Sequence, residues 1–140
     1  MKGQEPVRVK TRLHLEPMFP EAGADFDTPP ADVAANPDAV EEWRRLLPIM
    51  REAGALTEAE RPVLAAACLQ WAIYLEAYRK MRADGMVSRK GRPTAHTVIA
   101  NQAVRVCQQL WNELGITPRS RSKIQPALQQ AKEAVDKWAV

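Results

Sequence analysis

The sequence predicts an all-α protein centred on a long antiparallel helical hairpin, with a short helix before it and a helix at the C-terminus. Residues 57–84 and 95–114 each repeat apolar side chains at steps of three and four, the spacing of one face of an α-helix. Glycines lie at the ends of these two segments and not inside them. A chain of 140 residues accommodates one such domain with extensions.

The first arm of the hairpin, residues 57–84, is the longest predicted helix. Thr57 and Glu60 have the spacing of a capping box at its start, and Gly85 offers a left-handed stop at its end. At about 1.5 Å per residue the arm is roughly 40 Å long, more than a compact domain of this size needs, so we expect it to pack against a partner. Its predicted apolar face comprises Leu64, Ala67, Cys68, Trp71, Tyr74, Leu75, Tyr78 and Met81.

The helix before the hairpin is predicted to begin with Asn36 as its N-cap and Pro37 as its first residue, and to stop at Gly54. Its apolar face comprises Val40, Trp43, Leu47 and Met50. The second arm of the hairpin is predicted to be capped by Thr94 or Thr97. Its face comprises Ile99, Ala103, Val106, Cys107, Leu110 and Leu114, with Trp111 beside it and Gly115 at its end.

Beyond the hairpin, Thr117 and Pro118 have the pattern of an N-cap and a first helical residue, which predicts a short turn. A separate last helix is predicted to open at Pro126, because proline is tolerated best at a helix start. Its narrow apolar stripe comprises Leu128, Ala131, Val135 and Trp138. This stripe could complete the core of the hairpin or pack on a neighbouring subunit.

The N-terminal part is predicted to be a flexible arm, because prolines interrupt a polar and acidic stretch with few large apolar residues. Residues 7–15 alternate like a strand, which indicates either a short extended arm or a segment that orders on a partner. The predicted domains are therefore a basic and acidic arm over residues 1–35, a helical core and oligomerisation domain over 36–124, and a C-terminal helix over 125–140.

The charge is separated along the chain. The formal net charge is +3, yet residues 13–42 contain eight acidic residues and no lysine or arginine. Residues 1–12 and 61–92 carry an excess of positive charge. Such a distribution favours an anionic partner for the basic parts, while the acidic stretch is free to mask them or to contact another protein.

The residues that most catalytic and metal sites require are scarce. His14 and His96 are far apart and not at ligand spacing from a cysteine, and no nucleophile with a convergent base can be assembled. Cys68 and Cys107 lie among apolar neighbours, as buried thiols do. No apolar run approaches the roughly 18 residues of a membrane span. We therefore expect that the protein is not an enzyme, that it binds no cofactor or metal, and that no membrane is among its partners.

Basic residues remain as the candidates for function, since clusters of lysine and arginine suit contacts with nucleic-acid phosphates. The alternative is that these charges only solvate the surface. The first two clusters are Arg89, Lys90 and Arg92 in the loop between the arms, and Arg119, Arg121 and Lys123 after the second arm. A third cluster, Arg8, Lys10 and Arg12, lies in the N-terminal arm.

The order of these features resembles the small terminase subunit of tailed bacteriophages. The most specific part is the segment Leu-Gly-Ile-Thr-Pro-Arg-Ser-Arg at residues 114–121, which is similar to the Leu-Gly-Leu-Thr-Pro-Ser-Ser-Arg segment of one such family. The resemblance covers roughly residues 40–124. Members of that family often carry Asn-Pro after the loop glycine, where this chain has Arg92 and Pro93.

The resemblance implies a non-catalytic DNA-packaging protein that acts in the host cytoplasm. It further implies a homo-oligomeric ring, binding to double-stranded viral DNA, and recruitment and regulation of the large terminase subunit, which carries the ATPase and nuclease. A ring would also explain the long first arm, since neighbouring hairpins bury each other's flanks. The aromatic residues expected in the core or at the subunit interface are Trp43, Trp71, Tyr74, Tyr78, Trp111 and Trp138.

Two other functions stay open at this stage. A helical DNA-binding transcriptional regulator would form a dimer on a palindromic site, although residues 85–91 are too long for the usual turn before a recognition helix. A structural adaptor would use its acidic segment to bind a protein and would not bind nucleic acid.

Overall fold

The computed structural model of the protein describes residues 24–139, with the backbone alone at residues 24, 123–128 and 131. The described chain is helical and contains no β-strand, and Val87 and Pro93 form an isolated antiparallel bridge. The prediction of an all-α hairpin fold is confirmed. A short 3-10 helix (Ala24–Asp27) is followed by α1 (Ala31–Ala34), α2 (Pro37–Glu52), α3 (Arg61–Asp84), α4 (Ala95–Glu113) and α5 (Pro118–Trp138).

The two arms of the hairpin, α3 and α4, pack on each other more extensively than any other pair of elements. Small side chains line the contact, and they let the two backbones approach closely. The larger aromatic residues therefore lie beside the contact and not inside it: Trp71 and Tyr74 are half-buried, and Tyr78 is 39% exposed. The fully buried residues of the two arms are Leu64, Ala67, Cys68, Ala72 and Ala77 on α3, and Ala100, Ala103 and Cys107 on α4.

Helix α2 packs across α3 and supplies the largest part of the core. Trp43, Leu46 and Met50 of α2 are at most 1% exposed, and they cluster with Leu64 of α3 and Leu114 after α4. The predicted start of α2 is confirmed, because the side-chain oxygen of Asn36 accepts hydrogen bonds from the backbone amides of residues 38 and 39 at 3.0 and 3.3 Å. Trp43, one of the aromatic residues expected in the core or at the subunit interface, lies in this core.

The start of α3 differs from the prediction, since the helix begins at Arg61 and not at Thr57. The Glu60 carboxylate accepts hydrogen bonds from both the backbone amide and the hydroxyl of Thr57. The Thr57 hydroxyl is therefore a donor to Glu60, whereas a capping box would need it as an acceptor for the Glu60 amide. Residues 57–60 form a turn, in which the Glu60 amide donates to the Thr57 carbonyl at 3.1 Å.

Residues 24–35 pack on the core, although the sequence predicts that they belong to the flexible arm. Phe26 is 2% exposed and Val33 is fully buried. The indole Nε1 of Trp43 donates a hydrogen bond to the Phe26 carbonyl at 3.0 Å, and the Arg61 guanidinium lies 5.5 Å above the Phe26 ring. The packed body therefore includes Phe26. The alternating stretch over residues 7–15 lies outside the described residues.

The C-terminal helix also differs from the prediction. Thr117 is its N-cap, with the hydroxyl accepting from the Ser120 amide at 3.2 Å, and one continuous helix runs from Pro118 through Pro126 to Trp138. The predicted helix start at Pro126 is wrong. Proline has no amide hydrogen to donate to the carbonyl four residues earlier, which here belongs to Ser122. Ser122 is exposed, so its carbonyl can bond to water. Helix α5 touches the described chain chiefly through α4.

The two cysteines are free and buried, as the sequence predicts. Burial raises the pKa of Cys68 to about 12 and that of Cys107 to about 11. Both thiols stay protonated at neutral pH, and Cys107 lies with its sulfur 4.0 Å from the Ala67 carbonyl oxygen on α3. They act as small core residues between the arms.

Candidate nucleic-acid interface

The loop between α3 and α4 is a short β-ribbon, residues 86–94, which we call the tip ribbon. Val87 lies opposite Pro93, the Ser88 amide donates to the Arg92 carbonyl at 2.7 Å, and the Thr94 amide donates to the Met86 carbonyl at 3.0 Å. The ribbon turns over three residues, and the last of them, Gly91, has a φ of +70°. This left-handed conformation favours glycine and is typical of a three-residue hairpin turn.

The tip ribbon is fastened to the first turn of α4. Thr94 is the N-cap, and its hydroxyl accepts from the Thr97 amide at 3.4 Å and donates to the Gly85 carbonyl at 3.2 Å. The Thr97 hydroxyl donates to the Met86 carbonyl at 2.8 Å. Because the Thr94 and Thr97 side chains tie the start of the ribbon to the first turn of α4, the turn of the ribbon has a defined position at the end of the hairpin.

Three predicted DNA contacts are exposed on the tip ribbon, Arg89 and Lys90 in its turn and Arg92 directly after it. We call them the tip cluster. Within residues 24–139 none of the three forms an ion pair. Three cations held close together without a neutralising carboxylate produce a positive potential that attracts anions.

The acidic stretch pairs with other basic residues. Asp38, at the start of α2, forms two hydrogen bonds with the Arg79 guanidinium of α3, at 2.6 and 2.8 Å. These bonds hold the pKa of Asp38 below its ordinary value. Asp27 pairs with Arg51 at 2.7 Å. The described part of the acidic stretch therefore neutralises charge beside α2 and leaves the tip cluster uncovered.

The second predicted cluster lies at the opposite end of the hairpin. Arg119 and Arg121 are exposed in the first turn of α5, and the side chain of Lys123 is among those not described. The 19 residues of α4 separate this turn from the tip ribbon, a distance of about 28 Å at 1.5 Å per residue. The structure thus keeps the two clusters apart. Arg8, Lys10 and Arg12 lie outside the described residues.

The predicted aromatic residues form a row along one flank of the hairpin. Ring centroids are 5.0 Å apart between Trp71 and Tyr74, 5.9 Å between Tyr74 and Tyr78, and 5.6 Å between Trp71 and Trp111. The buried indole Nε1 of Trp111 has no hydrogen-bond partner among the described residues. Trp138, by contrast, is 82% exposed near the end of α5. Their assignment to a subunit interface stays a prediction.

Sequence reasoning missed two apolar residues of the tip ribbon. Met86 is 60% exposed and Val87 is 59% exposed. The available signal was the position of these two residues. They lie between Gly85 and the basic turn, beyond the apolar face of the first arm, where neither can belong to the core.

Residues 24–139 contain no helix that is long and apolar enough to cross a membrane. Over the same residues no group of three or more histidine, cysteine or acidic side chains could hold a metal ion.

A family model described as "Phage terminase, small subunit" matches residues 39–131. The match includes all of α3, the tip ribbon and α4, with most of α2 and the first part of α5. No curated protein and no solved structure matches the chain. Because the family model covers more than half of the chain and contains the whole hairpin, the protein belongs to the family of phage terminase small subunits, and its role is in phage DNA packaging.

Proposed function

We propose that this small subunit is a non-catalytic protein that binds double-stranded viral DNA in the host cytoplasm, and that it recruits and regulates the large terminase subunit. The observation that carries the DNA-binding part is the tip cluster, three exposed cations at the end of the hairpin that form no ion pair with any acidic residue of the described chain. Family membership supports the partnership with the large subunit. Arg119, Arg121 and Lys123, and the N-terminal Arg8, Lys10 and Arg12, are the further proposed DNA contacts.

Binding through the tip cluster is a contact with phosphates in the first instance. Each phosphate that a cation neutralises releases counterions, so the affinity falls as salt rises. This mode needs no fixed DNA sequence, and it agrees with a turn whose three charges point into solvent.

Removing the tip cluster is expected to weaken DNA binding. The Arg89→Ala, Lys90→Ala, Arg92→Ala triple variant should bind on the order of 10-fold more weakly at about 100 mM salt, and the slope of log K against log salt should fall by about 2.7, since three phosphate contacts are lost. Fluorescence anisotropy with a labelled duplex of about 30 base pairs, long enough for several such contacts, measures both quantities.

The matched control is the Arg44→Ala, Arg105→Ala, Lys132→Ala triple variant. These three residues are exposed and lie on α2, α4 and α5, so the control loses the same charge away from the tip. It should keep most of the wild-type salt slope. Equal losses in the two variants would show that total charge, and not the tip, governs binding. A full chain that binds no DNA even at low salt would instead favour the structural adaptor.

We also propose that residues 36–124 form the oligomerisation domain and that copies of the chain assemble into a closed ring. Helix α3 has 24 residues and carries apolar surface on two sides, with the aromatic row on one side and Ile73, which is 43% exposed, on another. An apolar flank on a long helix is stabilised when a neighbouring subunit covers it.

Native mass spectrometry of the full chain should therefore show one oligomer larger than a dimer. An Ile73→Asp variant should shift it toward smaller species, because a charge would be buried at the subunit contact. An Arg105→Asp variant, which also places a carboxylate on an exposed position of the hairpin, serves as the control. A monomer would contradict the ring, and a dimer would favour the transcriptional regulator.

A further inference from the structure

We propose that the tip ribbon enters the major groove of duplex DNA and that Val87 contacts thymine methyl groups there. This inference rests on the proposed DNA binding and adds how the duplex is held. The proposed function requires only phosphate contacts, whereas groove entry places side chains of the ribbon against base edges.

The width of the ribbon selects the groove. Paired strands lie about 4.8 Å apart, and a two-stranded ribbon fits the major groove, which is about 12 Å wide, but not the minor groove, which is about 6 Å wide. The two helices behind the ribbon are each about 10 Å across with their side chains. The hairpin itself is therefore too broad to follow, and only residues 86–94 can enter.

The length of the ribbon agrees with the depth of the groove. Three residue steps lead from Met86, which is paired with the α4 N-cap Thr94, to Arg89 in the turn. At about 3.3 Å per step the turn stands about 10 Å beyond that pair, and the major groove is about 8.5 Å deep. The ribbon is therefore long enough to enter the groove before the ends of α3 and α4 meet the phosphate backbone.

The two faces of the ribbon carry different chemistry. Residues on opposite strands that lie across from each other share a face, and successive residues alternate. Val87 and Pro93 therefore form one face, which is apolar and exposed, while Ser88 and Arg92 lie on the other. An apolar side chain in the major groove contacts the thymine methyl, and arginine donates to the acceptors N7 and O6 of guanine.

The exposed Val87 needs such a contact. It is 59% exposed at the end of the hairpin, so it contributes little to the core, and three cations lie within five residues of it. A duplex offers negative phosphates beside the major groove and thymine methyls inside it, so it supplies a partner for the cations and a partner for the valine. An acidic protein segment would match the charges too, and groove-specific DNA probes separate it from a duplex.

The first experiment blocks the major groove without changing the charge of the DNA. The full chain is titrated with two duplexes of identical sequence, one containing cytosine and the other glucosylated 5-hydroxymethylcytosine, whose sugars fill the major groove. We expect about a 10-fold weaker binding to the glucosylated duplex, the size of effect that follows from losing a base contact. Equal affinity for the two duplexes overturns the inference.

The second experiment tests Val87 through a thermodynamic cycle. Replacing thymine by uracil removes only the methyl group, and it should weaken wild-type binding by about 3-fold, the worth of one buried methyl. Val87→Ala should weaken binding to the thymine duplex by a similar factor. Replacing thymine by uracil should then weaken the binding of this variant by almost nothing more. Val135→Ala, at a position 40% exposed on α5, is the matched control and should respond to uracil as the wild type does. If the two changes weaken binding independently, so that their factors multiply, the contact between Val87 and the thymine methyl is overturned.

The outcomes separate this inference from the proposed function. If no duplex binds, or if the tip triple variant binds normally, the proposed role of the tip cluster fails and the groove inference fails with it. If the triple variant loses binding while glucosylation has no effect, the tip cluster binds DNA through phosphates alone, and only the groove inference is overturned.

Discussion

The Trp43→Ala variant is expected to lose about 4–5 kcal/mol of unfolding free energy, the largest single-residue effect in the chain. Trp43 is 1% exposed and is the largest fully buried side chain, and removing such an indole from a core typically costs about 3–5 kcal/mol. The Phe26 carbonyl would also lose the hydrogen bond from Nε1. Since small domains are stable by only about 5–15 kcal/mol, the variant should be near the limit of folding.

Urea unfolding followed by circular dichroism at one fixed protein concentration measures this loss. Trp43→Phe keeps an aromatic ring but not the hydrogen-bond donor, so it should lose less than half as much stability as Trp43→Ala loses. Trp138→Ala removes the same kind of side chain from a position that is 82% exposed, and it should change stability by less than about 0.5 kcal/mol. Similar losses at positions 43 and 138 would contradict the described core.

The Arg45→Ala variant is expected to lose about 3 kcal/mol. The side chain of Glu42 is 3% exposed, and Arg45 binds its two carboxylate oxygens at 2.6 and 2.7 Å. This hydrogen bonding raises the pKa of Arg45, so its charge is secure. Within residues 24–139 no other cation pairs with the Glu42 carboxylate, so without Arg45 it is left unpaired among the described residues. We expect the lower end of the range for a broken buried pair because the Arg45 side chain itself is 55% exposed.

Urea unfolding at neutral pH measures this loss too, and a second substitution identifies its cause. Glu42→Gln removes the charge with almost no change in shape, so the Glu42→Gln, Arg45→Ala double variant should recover much of the stability that Arg45→Ala alone loses. Arg44→Ala, at the exposed neighbouring position, should have little effect. Failure of Glu42→Gln to restore stability would mean that Arg45 acts through packing and not through its charge.

Local signals predicted the helix ends where a single residue decides the backbone geometry. Asn36 and Thr117 cap the helices that follow them, and Gly54, Gly85 and Gly115 adopt positive φ at the ends of three helices. These residues act through their own hydrogen bonds or their own φ, so their effect can be recognised without tertiary structure.

The errors arose where a residue had more than one local partner, or where its partner was distant in the chain. Thr57 and Glu60 have the capping-box spacing, and the Thr57 amide donates to the Glu60 carboxylate as in a capping box. The Thr57 hydroxyl donates to the same carboxylate, however, and residues 57–60 close a turn before α3. Phe26 appears in an acidic, proline-rich stretch, and its burial depends on Trp43, which is 17 residues away. Pro126 lies inside α5, where the carbonyl that loses its amide donor belongs to the exposed Ser122 and can bond to water.

The candidate site shows the same division. Composition alone identified the cations of the tip cluster, since basic residues beside glycines mark a loop. The pairing of Val87 with Pro93 was not predictable, because no alternating segment precedes or follows it and it depends on how α3 and α4 meet. Only the ribbon geometry turns a charged loop into a projection with two unlike faces.

The separation of the two basic clusters by the length of α4 gives the hairpin a direction. One end presents a ribbon with three cations and an exposed valine, and the other presents the first turn of a protruding helix with Arg119 and Arg121. A closed ring of parallel hairpins would therefore have two chemically different rims. A duplex that runs along the axis would meet these two rims in a fixed order, so such a ring would be polar, and it could distinguish the entry side of the packaging machine from its exit side.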